Sequence, residues 1–160
     1  MPGYSVFNQT DWSALKEQAI SSPRKRAHFN LHQSYDELVQ KTLICLLHGT
    51  YIPPHYHRHT HQKELFVVLS GEVKVLFFES SGKVSDTLFL GVGDMIEISS
   101  DTIHTAICLT ESAFVLEAKQ GPFIAEDCKE FLDWTILEND TQINEYVAWL
   151  YDAKVGSLYE

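Results

Sequence analysis

The chain has 160 residues, 44% of them hydrophobic and 21% charged, a balance that suits one globular domain with a proper core and excludes a disordered chain. Its formal net charge of −10 argues against nucleic acid or an anionic membrane as partner, because both attract basic surfaces. No apolar run approaches the ~20 residues needed to span a bilayer, and the first residues carry no basic-then-apolar leader, so the expected location is cytoplasmic.

Taken in chain order, residues 11–20 (DWSALKEQAI) place apolar side chains at helical spacing behind Thr10 or Asp11 as N-cap, which predicts a short helix. From there to residue 119 the pattern becomes a series of short β-rich runs: RAHFNLH, KTLICLLH, ELFVVLS, EVKVLFF, TLFLG, MIEIS, IHTAICL and SAFVLEAK. Turn residues such as Ser70-Gly71 and Ser80-Ser81-Gly82 separate them. So many strands without intervening helices predict an all-β antiparallel sandwich or jelly-roll barrel. Residues 141–154 carry Ile143, Val147, Leu150 and Tyr151 at roughly helical spacing and predict an amphipathic tail helix. No repeat or linker divides the chain, so residues 1–160 are expected to form one domain with a barrel core at about 23–120. Cys45, Cys108 and Cys128 are odd in number and widely spaced, which suits neither a disulfide framework nor a CxxC zinc site. Cys45 and Cys108 lie in apolar runs and are expected to be buried thiols.

Within GTYIPPHYHRHTHQKELFVVLSG, His55, His57, His59 and His61 alternate and Glu64 follows. Alternate residues of a strand share a face, so imidazoles packed this closely point to a transition metal, with a solvated His-rich loop as the plainer alternative. Forty residues on, GDMIEISSDTIHTAI places His104 behind a Gly93-Asp94 turn and a short apolar strand.

Together these two segments resemble the paired signature motifs of the cupin superfamily. Gly49, His55, His57, Glu64 and Gly71 fit the first motif; Gly93 and His104 fit the second, where Ser99 and Asp101 replace the usual proline and glycine. The gap from His57 to Glu64 is longer than usual, and a His57 and His59 pair would shorten it while spoiling the spacing from Gly49. A closer resemblance favours His55 and His57. Ser22-Pro23-Arg24-Lys25-Arg26, Asn30-Leu31-His32, Tyr51-Ile52-Pro53-Pro54-His55-Tyr56-His57 and Glu117-Ala118-Lys119-Gln120-Gly121-Pro122 are similar, in the same order, to the WbuC-type cupin-fold metalloproteins of bacterial O-antigen and other surface-polysaccharide clusters. The resemblance implies a jelly-roll barrel in which His55, His57, Glu64 and His104 hold one divalent ion. Iron, manganese, nickel and zinc all suit those ligands, which leave open positions and a net charge near +1.

The segment from Arg24 to His32 is the second place where function is legible. As a strand it puts Arg24, Arg26, His28, Asn30 and His32 on one face and Ala27, Phe29 and Leu31 on the other. The polar face reads either as solvated edge-strand charge or as a clamp for a carboxylate, phosphate or sugar hydroxyl, with Lys119 as a possible further member. His59 and His61 are expected near the pocket rim or in solvent, His48 in a turn, and Tyr51 and Tyr56 at a barrel mouth or packed within it. Three functions fit: a metal-dependent isomerase or epimerase acting on a sugar-derived or anionic substrate in polysaccharide synthesis, an iron dioxygenase, or a binding protein without turnover. An exposed N-terminal edge strand also suggests a homodimer.

Overall fold

A computed structural model describes residues 3–160. The elements in order are α1 (Gln9–Ser21), β1 (Arg26–Asn30), β2 (Val39–Leu47), β3 (Glu64–Ser70), β4 (Val73–Phe78), β5 (Val84–Leu90), β6 (Met95–Ile98), β7 (His104–Cys108), β8 (Ser112–Gln120) and α2 (Ile143–Asp152). The strands form two antiparallel sheets, ordered β1-β2-β8-β3-β6 and β5-β4-β7. They face one another as a jelly roll, and the eight expected β-runs each become one strand. Among the described residues no helix is long and apolar enough to cross a membrane.

Alternation along the strands generates three apolar layers. Ile44, Leu46, Val68, Val73 and Val115 point between the sheets and fill the barrel interior. Leu43, Cys45 and Phe114 point outward from the larger sheet and pack under Leu15 and Ala19 of α1. Leu76, Phe78 and Ile107 point outward from the smaller sheet and are covered by Tyr146 and Leu150 of α2. Cys45 and Cys108 are buried free thiols, as their apolar surroundings imply.

The helix α1 starts earlier than the spacing predicts. Asn8 is the N-cap: its Oδ1 accepts from Thr10 N at 2.9 Å, while the Asp11 carboxylate accepts from Asn8 N at 2.8 Å. Asp11 is therefore the reciprocal partner of a capping box one turn inside the helix, and the cap itself is the asparagine before it. Gly71 closes the tight turn between β3 and β4 with φ of 74°, and a Cβ there would meet Ser112 O at 2.3 Å. Only glycine fits both demands.

Lys74 departs from the usual polar-out reading of an antiparallel strand. It lies on the outer face of β4, but α2 covers that face, and Nζ donates to the carbonyls of Leu150, Tyr151 and Ala153 at 2.8–2.9 Å. These are the open carbonyls at the C-terminal end of α2, where a cation also meets the negative end of the helix dipole. Lys74→Met would leave them without a donor in a buried setting. It is expected to cost about 2–4 kcal/mol in urea unfolding and to speed amide exchange in α2 before the rest of the barrel; unchanged α2 exchange would contradict this role.

Candidate metal centre

Main-chain pairing brings the site together. The segment after Pro54 forms two single bridges, His55 with His104 and Tyr56 with Glu130. His55 N donates to His104 O at 3.1 Å and His104 N to His55 O at 2.9 Å, so one motif is laid directly against the other. Glu64 opens β3 opposite Lys119 of β8, and both turn into the barrel. As a result His55, His57, Glu64 and His104 are all buried, with one ligand atom from each lying within 4.8 Å of the others. That span is close to twice the ~2.0–2.2 Å bond from an ion to nitrogen or oxygen.

The second nitrogen of each ring determines what the cluster can hold. His55 Nδ1 donates to Pro53 O at 2.8 Å, His104 Nδ1 to Thr102 O at 2.9 Å, and His57 Nδ1 to Cys128 O. A carbonyl only accepts, so each Nδ1 carries a proton, which leaves each Nε2 as the atom that can present a lone pair to an ion at the centre. Glu64 Oε2 lies 3.0 Å from His104 Nε2 and Oε1 lies 3.0 Å from His57 Nε2. Among the described residues His57 Nε2 is buried without a hydrogen-bond partner. Three lone pairs and a carboxylate aimed at one point repel unless a cation lies between them. The donor set therefore fits a divalent transition metal.

The local electrostatics agree. Burial, then the charge of Lys129, holds His55 well below its ordinary value, so it is neutral as a ligand must be. Burial opposes ionisation of Glu64, yet its carboxyl is held well below the usual range, and the Lys119 ammonium beside it favours the carboxylate that a metal ligand must be. Lys119 Nζ contacts Glu64 Oε1 at 3.0 Å and Glu117 Oε1 at 2.7 Å. Burial works against its charge, yet Glu117 and Glu64 prevail and raise it above the ordinary lysine value.

The cluster opens onto a cavity of about 580 Å³ whose inner wall includes Ile44, Leu46, Val73, Val75, Leu90 and Val115. Arg24, Arg26, His28, Asn30, His32 and Lys119 all line it, so the strip on β1 and just beyond it faces inward. Its arginines are not free, however. Glu138 accepts from Arg24 at 2.6 and 2.7 Å and from Arg26 at 2.5 Å, and Arg26 also donates to Tyr51 O at 2.6 Å. Arg26 thus ties the fold together as well as facing the cavity. His32 Nδ1 is engaged by the Lys41 backbone, while Nε2 is buried with no partner among the described residues. Although much of its surface is accessible, the crowded wall and the nearby Arg26 and Arg24 push His28 down to about 4, so it is neutral at pH 7. Asn30 is exposed and accepts from Thr42 Oγ1 at 3.3 Å.

His59 and His61 stack on one another at 5.6 Å in the insert and lie outside the cluster. His48 stacks on Tyr151, whose hydroxyl accepts from Gly49 N and donates to Cys108 O, each at 2.9 Å. Tyr51 is a core residue with its hydroxyl on Ile136 O at 2.6 Å, because α2 and the preceding segment cover it; Tyr56 is half-buried beside Glu130.

Sequence reasoning missed Glu117, Lys129 and Glu138. Glu117 had a signal: two residues before Lys119 on one strand, it must share that face. Lys129 and Glu138 lie between β8 and α2, where no periodicity announces which side chains turn inward. Glu138→Gln removes the counter-charge of a buried guanidinium and is expected to destabilise by about 2–4 kcal/mol, less than for a fully buried pair because Glu138 is partly exposed. Burial raises the Glu138 carboxyl, but Arg24 and Arg26 overcome this and hold it below its ordinary value of 4.5. The stabilisation is therefore present above pH 4.5 and lost as pH falls through the lowered native value, so wild type and Glu138→Gln should converge in acid denaturation.

The fold is a jelly roll, and the His/Glu cluster buried in its barrel is a donor set that could hold a metal ion. A family model described as a domain of unknown function (DUF6016) matches residues 7–90, more than half the chain, and the chain belongs to that family. No curated protein matches it. Solved structures with the same fold include an oxalate oxidase (TM-score 0.54, 19% identity, 82% of this chain and 67% of that one) and KdgF from a Halomonas species (0.50, 18%, 66% and 84%). An oxalate decarboxylase from Bacillus subtilis, whose centres are Mn(II), also matches (0.50, 18%, 62% of this chain); this chain spans only 26% of its length.

Proposed function

We propose that this chain is a cupin and a divalent-metal-dependent enzyme acting on a sugar-derived or anionic small molecule, with isomerase or epimerase chemistry. The observation that carries the reading is the convergence of three Nε2 lone pairs and one carboxylate at the wall of a large cavity. A structural ion needs no such opening, whereas a catalytic one does. When bound at His55, His57, Glu64 and His104, iron, manganese, nickel or zinc would supply Lewis-acid polarisation of a carbonyl or enediolate oxygen. Lys119 holds Glu64 in place and neutralises part of its charge. Glu117 faces the same space from the neighbouring position and is suited to accept or return a proton at its Oε atoms. The resemblance to WbuC-type proteins supports a role in bacterial surface-polysaccharide (O-antigen) synthesis, in the cytoplasm. The edge position of β1 supports a homodimer joined along that strand.

The test is metal analysis of the purified protein followed by incubation with sugars and nucleotide sugars with and without oxygen. Turnover under anaerobic conditions is expected. Oxygen consumption would replace this reading with an iron dioxygenase, and tight binding without product would replace it with a binding protein.

A further inference from the structure

Among the described residues, Lys129 is the one cavity cation left without a partner. Four cations line the cavity: Arg24, Arg26, Lys119 and Lys129. Glu138 takes both arginines, and Glu64 and Glu117 take Lys119. Among the described residues Lys129 makes no hydrogen bond or ion pair, although it is only half-exposed and its charge bears on Glu117, Glu64 and His55. Three carboxylates against four cations leave one positive charge in excess before any metal ion is added, within a chain whose net charge is −10. Such a local excess inside low-dielectric walls focuses attraction on an anion.

The segment that carries Lys129 is built into the centre. Cys128 O accepts from His57 Nδ1, the backbone of Glu130 pairs with Tyr56, and the Phe131 ring lies 6.5 Å from that of His55. Lys129 is thereby held on the rim of the metal cluster. Ile44, Leu46, Val73, Val75, Leu90 and Val115 supply the inner wall and carry no group to pair with a hydroxyl.

We propose that Lys129 is the anchoring residue for the ligand's anionic group, a carboxylate or a phosphate, and that the part of the ligand meeting the inner wall is apolar. This rests on the reading of the cavity as a metal-dependent substrate site. A sugar that satisfies it presents deoxy positions or an acyl group to that wall.

Cobalt(II)-loaded protein titrated with acetate, hexanoate and inorganic phosphate tests the assignment, followed by the visible cobalt spectrum and by calorimetry. Hexanoate should bind at least about tenfold more tightly than acetate, because its added methylenes leave water. Lys129→Met should weaken every anion that binds by about tenfold or more, while Lys129→Arg stays within about threefold. Cobalt content and thermal midpoint should not fall in Lys129→Met, since among the described residues no hydrogen bond or ion pair is lost and Met keeps most of the apolar stem. The stronger of hexanoate and phosphate identifies the anion. Equal affinities in Lys129→Met and wild type would overturn the anchor, as would loss of cobalt and of thermal stability in that variant. Equal affinities for acetate and hexanoate would overturn the apolar half. If wild type takes up no cobalt, the metal reading fails, and calorimetry on the metal-free protein decides Lys129 alone. Anion binding lost in Lys129→Met then supports the anchor, and no binding of any of the three anions overturns it.

Discussion

Glu64→Gln is expected to lower the affinity for a divalent ion by about tenfold or more, measured by competition with a chromogenic chelator. The amide keeps the size of the side chain but removes the negative charge that the three neutral imidazoles cannot supply. It also releases Lys119, which contacts Glu64 Oε1 at 3.0 Å and would remain paired only with Glu117. The alternative role, that of a base, predicts a different result. Full metal occupancy in Glu64→Gln with turnover abolished would make this residue the proton-transfer group and remove it from the ligand set.

Metal binding should also be visible as stability. An ion that binds only the folded chain stabilises it by about 4 kcal/mol at a thousandfold excess over Kd. For a chain of this size that corresponds to a rise in Tm of roughly 8–16 °C. His104→Ala should abolish most of the rise, because it deletes one of the three converging Nε2 atoms and the contact with Glu64 Oε2. Alanine substitution of His59 or His61, which lie outside the cluster, should preserve the rise. A similar rise in wild type and His104→Ala would place the stabilising ion elsewhere.

Much of this architecture was legible because strands announce themselves by composition and turns. Each β-rich run became a strand, and the alternation of Arg24 to His32 groups the side chains that line the cavity, while the sequence leaves open whether they meet solvent or a ligand. The spacing of His55, His57, Glu64 and His104 was likewise readable, although only the bridge between His55 and His104 shows how the motifs meet. What remained hidden depends on contacts between distant segments. Lys74 reads as an outward strand residue until α2 is seen to cover it. The arginine pair reads as a free clamp until Glu138 is brought to it from 112 residues away. Lys129 and the Cys128 carbonyl owe their place to the segment after β8, which packs over the first motif without any periodic pattern.

Anomalous diffraction from crystals of the metal-loaded protein, recorded at the absorption edge of the ion, tests the central claim most directly. One peak is predicted within about 2.0–2.3 Å of the Nε2 atoms of His55, His57 and His104 and of a Glu64 oxygen. A fully loaded crystal with its peak at His59 and His61, or with none between these four side chains, would contradict it.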